Sequence, residues 1–261
     1  MKKSLVFLMI TISLVVMYCK KEQKDGYKWI VAKGGLNVRS QADLKSEVKA
    51  LVPYGTKVRV VEETDKIIKV KDKETKKLIS GKWTKINWDN LEGWAFGGYL
   101  ATEDVYKQIV GQQKICDFVD QPFVNNLKEI NLHTFTKDAA VKFFGKPKKI
   151  VETSISNVHD PDLKDKRYTI YYDRLVFKIY HAIQVKKQLV EEVRISNDKY
   201  PYLHSVKFKM KKEQIIEIFG NPKKSQPNQI SYDCVKDTTE NLFFNFDNNK
   251  LKEIVIQYYI D

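Results

Sequence analysis

The fold of the first third of the chain is decided by Gly35-Leu-Asn-Val-Arg-Ser40, Tyr54-Gly-Thr-Lys-Val58, Trp83-Thr-Lys-Ile86 and Gly93-Trp-Ala-Phe96. Around these blocks the sequence reads as short runs of strand-forming residues, at 28–31, 36–39, 57–62, 67–71, 82–86 and 92–95. Turn residues separate the runs, because glycine adopts positive φ at little cost and proline fixes φ at the start of a bend. Short strands spaced in this way predict a small β-barrel over residues 27–101.

The same blocks resemble the bacterial SH3 family and occur in the order found in that family. The resemblance extends to Gly98-Tyr-Leu100 and implies an SH3-like barrel that this last segment closes. Two features depart from the family pattern. Gln41-Ala42 stands where the family usually has Gly-Pro, and residues 72–81 lengthen a hairpin. The family's ligand preference is therefore not carried over to this chain.

Bacterial SH3 domains bind peptides or cell-wall fragments, so the resemblance implies a contact surface with aromatic side chains, which offer large area at low entropic cost. The candidate ligand-binding residues are Trp83, Trp88, Trp94, Tyr99 and Arg39. Trp88 has polar neighbours and is predicted to be exposed. Trp83 and Trp94 have the alternative role of core residues. Arg39 either pairs with a ligand carboxylate or braces its hairpin against an acid such as Asp43.

The second half of the chain carries the pattern Phe-Gly-x-Pro-Lys-Lys twice, at 144–149 and 219–224. Each copy ends an amphipathic helix, because glycine favours the helix C-cap and proline two residues later prevents further winding. Thr136 is a candidate N-cap for the first helix. β-runs follow in matching order, at 168–172, 175–180 and 190–195, then at 229–232, 242–246 and 254–259. The recurrence predicts a duplicated domain at 133–261, with repeats at about 133–197 and 205–261.

Each predicted repeat is a helix followed by an antiparallel meander, an arrangement similar to the tandem repeats of the β-lactamase-inhibitor-protein and outer-membrane-assembly small-lipoprotein type. This resemblance implies helices covering one face of a sheet. Residues 102–132 have partial helical spacing, interrupted by Pro122, and are predicted to be a partly helical connector. The predicted fold class is thus mainly β plus α+β, with an SH3-like barrel followed by the duplicated domain.

The N-terminus has the pattern of a signal peptide at residues 1–19. Lys2 and Lys3 precede an uncharged, mostly apolar run from Ser4 to Tyr18, which is shorter than the about 20 residues of a membrane-spanning helix. Cys19 follows and resembles the lipidated cysteine of bacterial lipoproteins, which carries fatty acyl chains such as palmitate. The residue before that cysteine is usually small, so ordinary secretion and an uncleaved anchor stay open. All three place the mature protein outside the cytoplasm, and the lipid anchor predicts a location in the cell envelope, on the periplasmic side or at the cell surface.

Catalytic and metal-binding patterns are not found in the sequence. Cys116 lies in the charged segment 114–117, not at the start of a buried helix, and the four histidines are scattered. No enzyme activity, metal site or cofactor is predicted. Cys116 and Cys234 are an even pair in an exported chain and therefore a possible disulfide.

The chain has 46 basic and 33 acidic side chains, a net charge of +13. Its hydrophobic content of 43% is high enough to exclude global disorder. The positive charge is either a solvated surface or a means of attracting anionic partners, and export argues against nucleic acid. We expect a non-catalytic, lipid-anchored protein that binds peptidoglycan or an envelope protein. The alternatives are a structural assembly factor docking on an outer-membrane complex through the repeats, and an adhesin for host matrix or acidic polysaccharide.

Overall fold

A computed structural model describes residues 26–73, 75–124, 127, 130–157, 159–235 and 239–260. The predicted signal segment and Cys19 lie outside these residues. The chain divides into two compact units, Met1–Thr102 and Glu103–Asp261, called here the first and second units. Both consist mostly of β-structure. Among the described residues, no helix combines the length and the apolar character that crossing a membrane requires.

The first unit is a curled antiparallel sheet of seven strands. They are β1 Tyr27–Ile30, β2 Leu36–Arg39, β3 Val48–Val52, β4 Lys57–Lys71, β5 Leu78–Trp88, β6 Leu91–Phe96 and β7 Leu100–Ala101. Their order in the sheet is β3-β2-β6-β5-β4-β1-β7. Ile30, Val38, Val52 and Ile86 form the centre of the core, each almost completely buried. The sheet carries the predicted SH3-like strand blocks.

The β4–β5 hairpin is longer than the sequence indicated. The runs predicted at 57–62 and 67–71 form one strand, β4, because two register shifts against β5 let pairing continue through the polar residues between them. Lys71 pairs with Leu78, so the hairpin extends well beyond the core of the sheet.

In the part of the second unit that the structure describes there are three α-helices and eight strands. They are α1 Glu103–Asp120, α2 Lys137–Phe144, β8 Lys149–Ser156, β9 Lys164–Tyr171, β10 Leu175–Ala182, β11 Lys187–Ile195, α3 Lys212–Phe219, β12 Lys224–Gln226, β13 Gln229–Val235, β14 Thr239–Asp247 and β15 Lys250–Gln257. The antiparallel sheet has the order β12-β13-β14-β15-β11-β10-β9-β8. Two four-stranded meanders, each preceded by a helix, therefore meet where β11 pairs with β15.

The helix ends follow the signals in the sequence. Thr136 caps α2, its side chain accepting a hydrogen bond from the amide of Ala139. Gly145 and Gly220 end α2 and α3 with φ of 78° and 82°, a region that favours glycine. Strands β8 and β12 were not predicted, since both are edge strands with mostly exposed residues and no clear alternation.

The segment predicted as a connector is part of the core of the second unit. Helix α1 buries Ile115, Phe118 and Val119 against side chains of the sheet and of α3. Phe118, for example, packs edge-to-face on Phe219 with ring centroids 5.7 Å apart. Cys116 is likewise buried, although the segment around it was predicted to be a charged connector. Charged residues such as Lys114 and Asp117 obscured the apolar stripe of this helix.

Candidate functional site

A groove of about 660 Å³ opens on the first unit. The turn at 31–35, strand β2, the following loop, strand β3 and the tip of the β4–β5 hairpin supply its walls. Its lining includes Arg39, Leu44, Leu51, Val70, Asp72, Ile79, Trp83, Phe96 and Tyr99. Its size is within the range of pockets that hold small molecules or a few peptide residues.

The floor of the groove is aromatic. Trp83 and Phe96 are buried in the core of the sheet, 6% and 4% exposed, and reach the groove with one part of their surface. Tyr99 packs edge-to-face on Phe96, with ring centroids 5.7 Å apart. These side chains are fixed by the core before any ligand arrives, so little side-chain entropy is lost on binding.

One wall of the groove is the extended hairpin, which a hydrogen-bond network holds in place. The Tyr99 hydroxyl donates to Asp72 Oδ2 at 2.6 Å. The other carboxylate oxygen, Oδ1, accepts from the amide and the hydroxyl of Thr75 at 2.6 and 2.7 Å. The insertion relative to the family pattern is thereby tied to the aromatic floor.

The opposite wall contains Arg39, whose Nη1 donates to the carbonyl of Ser46 at 2.6 Å. This bond braces the loop after β2, as one of the two expected roles requires, but its acceptor is a backbone carbonyl and not the carboxylate of Asp43. Lys33, Lys71 and Lys73 are exposed at the edge of the groove. The groove thus combines an apolar floor with a positively charged rim.

Only three of the five predicted ligand-binding residues line the groove: Arg39, Trp83 and Tyr99. Trp88 ends β5 beside the turn Asp89-Asn90 and pairs with Leu91, so it packs on the core and is half-buried, not fully exposed. Trp94 pairs with Lys85 and Arg39 on neighbouring strands and is also half-buried against the core. Neither side chain lines the groove.

Sequence reasoning missed the aliphatic part of the groove. Leu44 and Leu51 are 52% and 58% exposed, unusually high for leucine. The sequence did contain a signal for one of them, because an apolar residue in an otherwise polar loop marks Leu44 as a candidate contact residue. No local pattern, however, shows that Val70 and Ile79, from the far hairpin, lie around the same groove.

The second unit has a polar groove of about 410 Å³ on its sheet, lined by Arg167, Lys178, Glu191, Glu192, Asn241, Gln257, Tyr258 and Tyr259. Arg167 forms a bidentate ion pair with Glu191 at 2.5 and 2.6 Å. Glu192 accepts from Arg194, Gln257 and Lys178 at 2.7, 3.0 and 2.9 Å. Burial raises the pKa of Glu192, but these hydrogen bonds outweigh it and lower the pKa to about 2.

Cys116 and Cys234 form a disulfide, with Cα atoms 4.9 Å apart. A disulfide sulfur is not a thiolate and does not act as the nucleophile of a cysteine peptidase. Elsewhere in the second unit, Asp120, His133 and Glu240 bring three potential metal-ligand atoms within 4.8 Å of one another.

No curated protein matches this chain. Among solved structures, NlpC2 from Trichomonas vaginalis is 12% identical, over 67% of this chain and 69% of its own, with a TM-score of 0.20 that does not indicate a common fold. Residues 34–101 match the family model of the bacterial SH3 domain. These residues span β2 to β7 of the curled sheet and most of the groove, so the first unit carries a bacterial SH3 domain.

Proposed function

We propose that the chain is a non-catalytic envelope lipoprotein whose SH3 domain binds peptidoglycan or a peptide of an envelope protein in the groove of the first unit. The observation that carries the proposal is the groove itself, in which a preformed aromatic floor meets a cationic rim. Bacterial SH3 domains as a class bind such ligands, and residues 34–101 match that class.

The chemistry of the groove favours a short peptide segment with an apolar side chain and an acidic group. An apolar side chain would lie on Trp83, Phe96 and the two exposed leucines, where each buried methylene contributes about 0.8 kcal/mol. An acidic group would lie near the lysines of the rim. The cross-linking peptides of a cell wall and the carboxylate-bearing segments of proteins both have this chemistry.

The location follows from the N-terminal segment. A signal peptide ending before Cys19 would deliver the chain beyond the inner membrane, and acylation of that cysteine would anchor it there. The SH3 domain would then face the cell wall from a membrane surface. No cofactor takes part in this function.

The test is co-sedimentation of the full chain, in mild detergent, with purified peptidoglycan. All four tryptophans of the chain lie between residues 29 and 94, so tryptophan emission follows ligand binding to the first unit directly. The double variant Leu44→Ser/Leu51→Ser removes two exposed groove side chains and should weaken binding at least roughly tenfold, the effect of about 1.4 kcal/mol.

The matched control is Val61→Ser/Ile67→Ser, which removes two similarly exposed apolar residues of β4 that lie outside the groove. It should bind like the unmodified chain. Equal retention of both double variants would contradict binding in the groove. Binding that disappears entirely at high salt would instead favour the adhesin alternative, a purely electrostatic attraction of the +13 chain to an acidic polymer.

A second candidate function rests on the second unit, whose two helix-plus-meander halves are proposed to be a sequence duplication. The polar groove around Arg167, Lys178 and Glu192 offers a docking surface for a protein partner. In this case the chain is a structural assembly factor, and crosslinking in cells should trap one membrane protein. Deleting residues 103–261, the whole unit including α1, should abolish the crosslink, whereas Leu44→Ser/Leu51→Ser should leave it unchanged.

A further inference from the structure

Three side chains from distant parts of the second unit converge on one point. Asp120 ends α1, His133 lies in the 3₁₀ turn Leu132–Thr134, and Glu240 is in β14. His133 Nε2 is 2.8 Å from Asp120 Oδ1 and 3.2 Å from Glu240 Oε1. All three atoms lie within 4.8 Å of one another.

The surrounding structure holds these side chains in position. The amide of His133 donates to Asn131 Oδ1 at 2.9 Å, and its ring packs edge-to-face on Tyr258 at 5.4 Å. Glu240 is opposite Cys234 in the β13–β14 pairing, and the disulfide joins that cysteine to α1, the helix that ends at Asp120. The relative positions of the two carboxylates are therefore restrained by a covalent link.

The positions of the two carboxylate oxygens around His133 Nε2 suit a shared metal ion better than hydrogen bonds from the histidine. A ring nitrogen directs its hydrogen or its lone pair along one line, so it cannot form two well-aligned hydrogen bonds with oxygens at 2.8 and 3.2 Å. Zinc binds nitrogen and oxygen ligands at about 2.0 to 2.2 Å in tetrahedral geometry, which separates neighbouring ligand atoms by roughly 3.4 Å. The His133 nitrogen is 2.8 and 3.2 Å from the two carboxylate oxygens, so small side-chain shifts would bring these ligands to that separation.

The electrostatics of the cluster point the same way. The Glu240 side chain is only 4% exposed, and a buried carboxylate is stable only when it is paired or bound to a metal. Two carboxylates, those of Asp120 and Glu240, therefore face the same point as the His133 ring. His133, 41% exposed, leaves one side open to water and to an arriving ion.

We propose that Asp120, His133 and Glu240 form a binding site for a divalent transition-metal ion of the zinc class, with water completing its coordination. One imidazole with two carboxylates suits zinc, whereas calcium and magnesium prefer oxygen ligands alone. The ion would link α1, the turn at 132–134 and β14. The sequence predicted no metal site because these ligands come from three separate segments and share no short spacing.

Zinc binding to the full chain, purified in mild detergent with a histidine-free tag and freed of metal by a chelator, tests the proposal. Competition against a colorimetric zinc indicator should show one tightly bound ion per chain. Cobalt should give the visible absorption of a nitrogen-and-oxygen-ligated ion, displaced by zinc and not by excess calcium or magnesium. His133→Gln should weaken zinc binding at least roughly tenfold.

His159→Gln is the matched control, since that histidine is exposed on the hairpin between β8 and β9, and it should bind zinc like the unmodified chain. Asp120→Asn changes a partly exposed ligand and provides a second test if His133→Gln does not give the far-ultraviolet circular dichroism of the folded chain. No stoichiometric binding by the unmodified chain would overturn the proposal. Equal zinc affinity in a folded ligand variant and in His159→Gln would overturn it as well.

Discussion

Gly81 lies where two segments of the first unit approach too closely for a side chain. A Cβ at this position would be 2.3 Å from the amide nitrogen of Gly98 and 2.7 Å from its Cα, both backbone atoms. The hairpin strand β5 and the turn at 97–99 pack together at this point, directly beside Phe96 of the groove floor. Glycine is therefore required here by space and not by a positive φ.

Gly81→Ala should destabilise the first unit by about 1 to 3 kcal/mol, because overpacking forces backbone shifts. Urea unfolding followed by tryptophan emission measures the loss in the first unit, which contains all four tryptophans. Gly34→Ala is the control, since a Cβ there meets nothing within 4 Å, and its free energy of unfolding should stay within a few tenths of a kcal/mol of that of the unmodified chain. Equal midpoints for the two variants would contradict the steric explanation.

Glu192 couples the stability of the second unit to acid pH. Its pKa of about 2 in the folded chain is below the ordinary value of 4.5, so the unfolded state binds the proton more readily. The stabilisation is fully present above pH 4.5 and is lost as pH falls towards 2. The contribution of this carboxylate to the free energy of unfolding is on the order of 3 kcal/mol at most.

Glu192→Gln should therefore lower stability at pH 7 and flatten its dependence on pH between 4.5 and 2. Hydrogen exchange of the β10 and β11 amides, followed by mass spectrometry, localises the effect to the strands that carry Lys178 and Glu192. Glu217→Gln, at an exposed position of α3, serves as the comparison and should keep the acid dependence of the unmodified chain. A Glu192→Gln chain that loses protection at the same pH as the unmodified one would exclude this carboxylate as the cause.

At the scale of single residues, the sequence identifies side-chain chemistry better than side-chain position. Arg39, Trp83 and Tyr99 were selected as candidates and line the groove, whereas Trp88 and Trp94 were selected on the same grounds and pack on the core. Residue type does not show which face of a strand reaches the groove when register shifts and curling intervene. The groove is built from many short segments between residues 31 and 99, and the sequence of one segment does not show which others will lie beside it.

At the scale of elements, the sequence predicted features that depend on neighbouring residues and missed those that depend on residues far away in the chain. Both ends of α2 and the C-terminal end of α3 were predicted correctly because capping by Thr136, Gly145 and Gly220 depends on neighbouring residues only. Strand β8 was missed because an edge strand with mostly exposed residues lacks the alternation by which strands are recognised. The sequence predicted a partly helical connector where helix α1 lies, because the apolar stripe of this helix is interrupted by charged residues.

The link between α1 and β13 is the element-scale feature with the largest expected effect on stability. Cys116 and Cys234 are buried and 118 positions apart in the chain, so their bond restricts a long loop of the unfolded state. Removing a disulfide of this kind costs typically about 2 to 4 kcal/mol. The bond also suits an oxidising compartment, in agreement with the proposed export.

Cys116→Ala/Cys234→Ala should unfold at lower urea concentration than the unmodified chain, as measured by far-ultraviolet circular dichroism. A reducing agent should move the unmodified chain towards the variant and leave the variant unchanged, since the variant has no bond to reduce. Identical unfolding curves for all four combinations of chain and reductant would show that this crosslink does not stabilise the second unit.

At the scale of the whole molecule, the two units and the N-terminal segment have separate tasks in the proposed function. The first unit supplies the groove, the second unit a polar sheet surface, and Cys19 the attachment to a membrane. Composition predicted more than one folded unit, because 261 residues with 43% hydrophobic content exceed what one small barrel needs. The start of the second unit was harder to predict, since helix α1 contributes to a core whose strands follow much later in the chain.

Attachment through Cys19 makes the sharpest prediction at this scale, because the three alternatives for the N-terminus give different products. Cells that express the chain and are fed an alkyne analogue of palmitate should label it, and the labelled chain should sediment with membranes. Cys19→Ala should lose the label. Cys116→Ala/Cys234→Ala should keep it, because those cysteines are bonded in the core and not available for acylation.

An uncleaved anchor would instead sediment with membranes unlabelled and retain residues 1–19, and ordinary secretion would give a soluble unlabelled chain. Either result would exclude lipid anchoring while leaving the groove of the SH3 domain free to bind its ligand from another location.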